Sequence, residues 1–316
     1  MGPQATSTTT SESRARRAGK TVLRVLLTSV PLLLWWRWSD LSVAGLGHAL
    51  GSVPLWAALL SALISEAGLF VFAVRWRVLL VAFGAPQPPS AGSLYRRTLV
   101  GHFFGLFLPL SLGTDAIHGL LTREVMPGRA DPWIVALLGR AYGLVALLVL
   151  CALCLVVAPA GFPVVTAAVS AAALAAVLVL VAWQVGGRHA VRWLPARLRQ
   201  MAVFQPEAHR LGVVAACLGL SVLTMTCAAL AQYAVLVPLA PGLSSPAMLG
   251  AILLSLLAAS LPSLFGFGPG QVALAALLVP LGVPAAVAMG AAVARWAIAL
   301  VEALGGGMLN MLGRSR

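Results

Sequence analysis

The sequence predicts an all-α membrane protein, built from about six transmembrane helices plus two re-entrant helical hairpins arranged as an inverted repeat. Three observations lead there. Hydrophobic residues make up 60% of the chain and charged residues only 9%, a balance that a water-soluble domain could not keep in solution. The apolar residues gather into blocks long enough to cross a hydrocarbon core, which takes about 20 residues of helix. Two of these blocks are broken near their centres by Pro and Gly, and the two broken segments match each other.

The blocks fall at about 22–38, 52–74, 98–121, 132–158, 162–185, 211–237, 246–281 and 283–312. Residues 1–21 form a polar, Ser/Thr-rich arm ending in Arg14, Arg16, Arg17 and Lys20, which we expect to be disordered and cytoplasmic. The block after it reads as an uncleaved anchor. Trp35, Trp36, Arg37 and Trp38 form an interfacial belt, and no clean A-x-A site follows closely. Residues 22–313 are expected to form one polytopic membrane domain.

Arginine placement orients the chain, because basic residues concentrate on the cytoplasmic side. They cluster in the N-terminal arm, at Arg75 and Arg77, at Arg96 and Arg97, at Arg123 and Arg129, between 187 and 210, and at Arg314 and Arg316. Both termini are therefore expected inside. The basic loop at about 187–210, RHAVRWLPARLRQ, reads either as an amphipathic segment on anionic headgroups or as an ordinary positive-inside loop. These arginines account for the net charge of +13, so nucleic acid is not an expected partner.

The block at about 98–121 carries arginine on both flanks, so both ends should lie on one side and the block should be re-entrant. GHFFGLFLPLSLGTD breaks at Pro109 and Gly113, and a broken helix survives at membrane depth only where protein or a water-filled cavity covers its backbone. LPSLFGFGPG breaks the block at about 246–281 in the same way, between uncharged flanks. This second hairpin is expected to enter from the outside.

Leu108, Pro109 and Gly113 match Leu261, Pro262 and Gly266, and each hairpin precedes a span with one intramembrane arginine, Arg140 or Arg295. Opposite orientations of the two halves make this the pattern of an inverted-topology repeat, with its substrate site near the midplane where the broken helices meet.

The segments RWRVLL, GHFFGLFLPLSLGTDAIHG, GRAYGLVALL and LPSLFGFGPGQ with the following LGVPAAVAMGAAVARWAIALVEALGGGML resemble the lysylphosphatidylglycerol synthase transmembrane-region family of flippase-like proteins. The resemblance matches Arg75 and Trp76 to an Arg-Trp pair ending an early span. It matches Pro109, Ser111, Gly113, Thr114 and Asp115 to a re-entrant Pro-x-Ser-x-Gly-Gly-Asp, and Arg140 to the basic member of an Asp-Arg pair. Thr114 replaces the second glycine, His118 stands where arginine is usual, Gly139 replaces the acidic partner, and Gly270 and Gln271 replace Arg-Glu. The resemblance implies movement of a lipid or lipid-linked anion between leaflets, and the near absence of lysine with the Ala/Leu/Arg bias leads us to expect a bacterial plasma membrane. The synthase activity in the family's name belongs to a separate soluble domain of larger members and is not expected here.

A charge at mid-bilayer costs about 2.5 to 3.5 kcal/mol on insertion scales, so Arg140, Arg295, Glu66 and Glu302 should face the interior with partners. Arginine suits phosphate through paired N–H donors, and glycine-rich hairpin tips leave backbone N–H groups free for the same task. The expected substrate site therefore comprises Arg140, Arg295, Ser111, Gly113, Thr114, Asp115, Gly266, Gly268 and Gln271, supported by Arg75, Glu66, His118 and Glu302. A plainer account makes Glu66 and Glu302 structural ion-pair partners of the two arginines.

Cys151 and Cys154 form CxxC inside an apolar span, where packing is the expected role, as for Cys217 and Cys227. His102 and His118 flank the first hairpin and could relay protons or simply line a cavity. GFGPG lacks the strand and soluble helix of a nucleotide-binding loop. No cofactor or metal is expected, and no Asp-x-x-Asp cluster occurs. The leading reading is a translocase for a phosphate-bearing lipid. The alternatives are a membrane-embedded transferase using Asp115, His118 or Glu66 as general base, and an accessory subunit in envelope assembly.

Overall fold

The computed structural model describes residues 43–107, 118–120, 123–125, 132–157, 163–190, 210–260 and 268–313. The basic arm, the anchor block at 22–38, both hairpin tips and most of the basic loop lie outside the described residues. Nine α-helices occur among the described residues, with no strand: α1 (Val43–Gly51), α2 (Leu55–Ala82), α3 (Ala91–Phe107), α4 (Pro132–Val157), α5 (Pro163–Ala190), α6 (Leu211–Leu236), α7 (Ser245–Ala258), α8 (Pro269–Leu278) and α9 (Ala285–Gly313). Five of them, α2, α4, α5, α6 and α9, are long and apolar enough to cross a membrane. The protein is an all-α membrane protein.

These helices are apolar around most of their circumference, as a helix must be when lipid rather than water surrounds it. α5 presents Leu174, Leu178, Val179 and Val185 at its surface, a face that only hydrocarbon solvates favourably. α2 runs beyond the expected block, through Arg75 and Arg77 to Ala82. The apolar run Val78–Leu79–Leu80–Val81 continues past both arginines, so they do not end the span. Gly84 then turns the chain with a φ of 78°, a left-handed conformation that glycine adopts without a Cβ penalty. α3 likewise begins ahead of the expected block, because the Ser90 hydroxyl accepts the Ser93 N–H at 3.2 Å and caps the helix there.

The second broken block folds as two short helices. α7 has 14 residues, a rise of about 21 Å, which falls short of a hydrocarbon core of about 30 Å. α8 is shorter and passes into a 3-10 turn, Val279–Leu281. The two pack together, and where they meet a Cβ on Gly270 would lie 2.6 Å from the Ala259 Cβ and 3.1 Å from the Ser255 carbonyl oxygen.

Packing relates the two halves element by element. α2 packs on α6; α3 packs on α9 as α7 packs on α4; α1 packs on α9 as α5 packs on α4; α2 meets α3 as α6 meets α7. Thus α1 to α4 correspond in order to α5, α6, α7 and α9. The paired helices α2 and α6 run antiparallel. Gly68 approaches Cys227 and Thr224, while Arg75, further along α2, reaches Ser221, earlier on α6. A corresponding pair that runs antiparallel is what inverted copies require, the arrangement the matched hairpins predict.

Candidate functional site

Two polar clusters lie where the halves meet. The first is built around Arg75, whose residue is only 3% exposed although it sits in a spanning helix. Its Nη1 donates to the Ser221 hydroxyl at 2.7 Å, and that hydroxyl donates onward to the Cys217 carbonyl at 2.7 Å. The guanidinium carbon stands 4.7 Å from the centre of the Phe72 ring, close enough for a cation–π attraction. α4 makes room with two glycines one turn apart. A Cβ on Gly143 would lie 3.3 Å from Arg75 Nη1, and one on Gly139 would lie 3.8 Å from Nη2. Arg140 follows Gly139 on this helix and is half-buried.

The second cluster joins α2, α3 and α9. Arg295 forms an ion pair with Glu302, 3.4 Å between Nη1 and Oε1. The Ser65 hydroxyl bridges them, accepting from Arg295 Nη2 at 2.6 Å and donating to Glu302 Oε2 at 2.9 Å. One residue on, Glu66 accepts a hydrogen bond from the Tyr95 hydroxyl. Arg295 also acts electrostatically on His102.

The clusters occupy related positions. Ser65 lies ten residues after Leu55 at the start of α2, and Ser221 lies ten residues after Leu211 at the start of α6. Each serine accepts an arginine N–H. Ser65 then donates a hydrogen bond to a carboxylate and Ser221 donates one to a backbone carbonyl.

His118 is 2% exposed, with its ring 5.4 Å from both the Phe72 and Trp76 rings. Its Nε2 lies 3.2 Å from Thr98 Oγ1. The Thr98 hydroxyl already donates to the Leu94 carbonyl at 2.9 Å, so its oxygen accepts and the histidine Nε2 carries the proton. His118 thus joins the aromatic wall beside Arg75.

Of the expected site residues, Ser111, Gly113, Thr114, Asp115 and Gly266 lie outside the described residues. Gln271 caps α8, its Oε1 accepting the Gly268 N–H at 2.9 Å, with Pro269 opening the helix. The expected pairing is met for Arg295 with Glu302, whereas the Glu66 carboxylate is engaged by Tyr95. Ser65, Ser221, Tyr95, Phe72 and Gly143 were not legible as site residues. The available signal was a serine at the same depth in two otherwise apolar helices, in LISEAG and LGLSVL. Cys151 and Cys217 are fully buried, and all four cysteines are free thiols.

The sequence profile described as Lysylphosphatidylglycerol synthase TM region matches residues 21–305. The chain belongs to that family. No curated protein matches it in sequence. This member of the lysylphosphatidylglycerol synthase TM-region family is therefore a multi-pass membrane protein of a lipid-handling family. The glycine at 139, where the family resemblance implies an acidic residue, has a structural consequence here, since it lines the space the Arg75 guanidinium occupies.

Proposed function

We propose that the protein translocates a lipid or lipid-linked substrate bearing phosphate between the leaflets of a bacterial plasma membrane, with both termini cytoplasmic. The observation that carries the reading is the Arg75 guanidinium held inside the membrane bundle between α2, α4 and α6. Burying an ion in such a setting costs several kcal/mol unless it is compensated, and an ionisable side chain inside a membrane is by default a candidate functional group. Guanidinium is the side-chain cation best matched to phosphate, because it offers two parallel N–H donors.

In this reading Arg75 and Arg140 grip the phosphate. The resemblance and the Pro/Gly pattern assign Ser111, Gly113, Thr114, Asp115, Gly266 and Gly268 to the same site. Arg295, Glu302, Glu66, Gln271 and His118 hold the surrounding helices. Inverted halves supply the motion, since rocking one half against the other exposes a central site to each leaflet in turn. No protein group needs to form or break a covalent bond.

The test is reconstitution into vesicles with a phosphate-bearing lipid in the inner leaflet, scored by the rate at which its headgroup becomes accessible outside. Wild-type protein should speed exposure. Arg75→Gln and Arg140→Gln should abolish the gain at unchanged folded yield, and the lysine variants should restore only part of it. Wild-type rates in both glutamine variants would remove the arginines from the mechanism.

A further inference from the structure

The cluster joining α2, α3 and α9 holds two carboxylates and one arginine. Arg295 balances Glu302 through their ion pair, which leaves Glu66 without a countercharge of its own. Glu66 follows Ser65, whose hydroxyl bonds Glu302, and the two carboxylates act on each other electrostatically. The Tyr95 hydroxyl gives Glu66 Oε2 a neutral donor and leaves Oε1 to another group. His102 of α3 neighbours Arg295 instead, where a second cation would meet like charge. α6 and α8, which also pack on α9, carry no Asp, Glu, Lys, Arg or His, and α1 carries only His48. Surplus charge is costly at membrane depth, and two carboxylates sharing a site relieve that cost by keeping one proton between them.

The cluster also crosses the boundary between the halves. Glu66 and Tyr95 belong to α2 and α3 of the first half, Arg295 and Glu302 to α9 of the second. Ser61, one turn before Ser65 on the same face of α2, is fully buried, and among the described residues its hydroxyl has no partner. It offers a hydrogen-bonding group through which a proton reaches the pair. We infer that Glu66 and Glu302 together bind one exchangeable proton, held while the halves are packed as here and released when they part. Parting leaves Glu302 with Arg295 on α9 and Glu66 with Tyr95 on the first half, which takes away the second carboxylate that retained the proton. The proton comes from water of one compartment onto a carboxylate oxygen and returns to water. Resting on the translocation reading, this exchange couples lipid movement to a proton gradient. His102 connects the two clusters, acting with Arg295 on one side and with His118 on the other, and His118 acts with Arg75.

The proton can be read without transport. Infrared difference spectra of the wild-type protein in maltoside detergent, which has no carbonyl of its own, are recorded as the pH is stepped from neutral to alkaline. One protonated-carboxyl band should disappear over that range, and it should be absent from Glu66→Gln and from Glu302→Gln. No such band in the wild type, or a band that survives in both variants, would overturn the inference. Tyr95→Phe guards against a fold effect, since it keeps both carboxylates. It should retain the band and move its disappearance to higher pH, because the ionised Glu66 loses a donor; an unmoved band would place the proton elsewhere and overturn the assignment.

A second arm measures leaflet exchange of phosphatidic acid in phosphatidylcholine vesicles, corrected for protein-free vesicles. An imposed pH gradient should change the wild-type rate several-fold, and a sodium gradient of equal size should not. Glu66→Gln should lose the response relative to its own rate without a gradient. A wild-type rate indifferent to the pH gradient, a response that persists in Glu66→Gln, or a response to sodium instead would overturn proton coupling. A titrating band without translocation would defeat the function proposed above and leave the proton site standing. Translocation without the band would do the reverse.

Discussion

At the residue scale, two arginines that look alike in sequence have different surroundings. Arg295 shares Ser65 and Glu302 within one polar cluster, so Arg295→Gln should strand a buried carboxylate at a cost of about 3 to 5 kcal/mol. Folded yield in detergent should fall in that variant and recover in the double Arg295→Gln, Glu302→Gln; a single variant as stable as wild type would contradict the ion pair's role. Arg75 sits beside Gly139 on a wall of small residues. An aspartate there would bring a carboxylate to about 4 Å from the guanidinium, an attraction of roughly 4 kcal/mol at an effective dielectric of about 20. Gly139→Asp should therefore keep or raise stability while blocking transport, and normal transport in that variant would show that the phosphate does not use Arg75. The intramembrane charges were legible because lipid makes them conspicuous. Their partners were not, since Ser65 and Ser221 are brought in from helices far away in sequence and Tyr95 from the next helix along.

At the element scale, close helix approach rests on particular glycines. A Cβ on Gly306 of α9 would run into the Leu99 carbonyl of α3, whereas one on neighbouring Gly305 would meet nothing within 4 Å. Gly306→Ala should lower stability by about 1 to 3 kcal/mol through overpacking, read as a drop in the thermal midpoint. Gly305→Ala should be neutral or slightly stabilising, as alanine is in a helix, and equal effects at the two positions would refute the packing. Gly270→Ala should destabilise the α7–α8 pair for the same reason. The spans and the two short helices of the second broken block were readable from apolar runs and Pro/Gly breaks. The ends of α2 and α3 were not, because arginines inside a helix look in sequence like arginines flanking one, and only tertiary partners distinguish Arg75 from a loop residue.

At the scale of the whole molecule, the inverted repeat was visible in a few matched hairpin residues, and among the described residues the antiparallel pair α2 and α6 and the matched helix contacts carry it. That geometry gives a sidedness prediction. Cysteines introduced near Arg97 and Arg123 should both label from the cytoplasm, and ones near Ser244 and Pro284 from the outside; members of either pair labelling from opposite faces would turn a hairpin into an ordinary span. Weak self-similarity in an Ala/Leu/Gly-rich chain cannot reveal that Ser65 joins an arginine–glutamate pair while Ser221 meets Arg75 beside Phe72, because that difference depends on which arginine reaches which serine. The proposal is that the cluster around Arg75 carries a phosphate-bearing lipid across the membrane. It is tested most directly by comparing, in vesicles containing the wild-type protein, the rate at which phosphatidic acid and diacylglycerol of the same chain change leaflets, each corrected for its rate in protein-free vesicles. The protein should accelerate the phosphate-bearing lipid strongly and the neutral one little or not at all. Equal acceleration of both, or of neither, would contradict it.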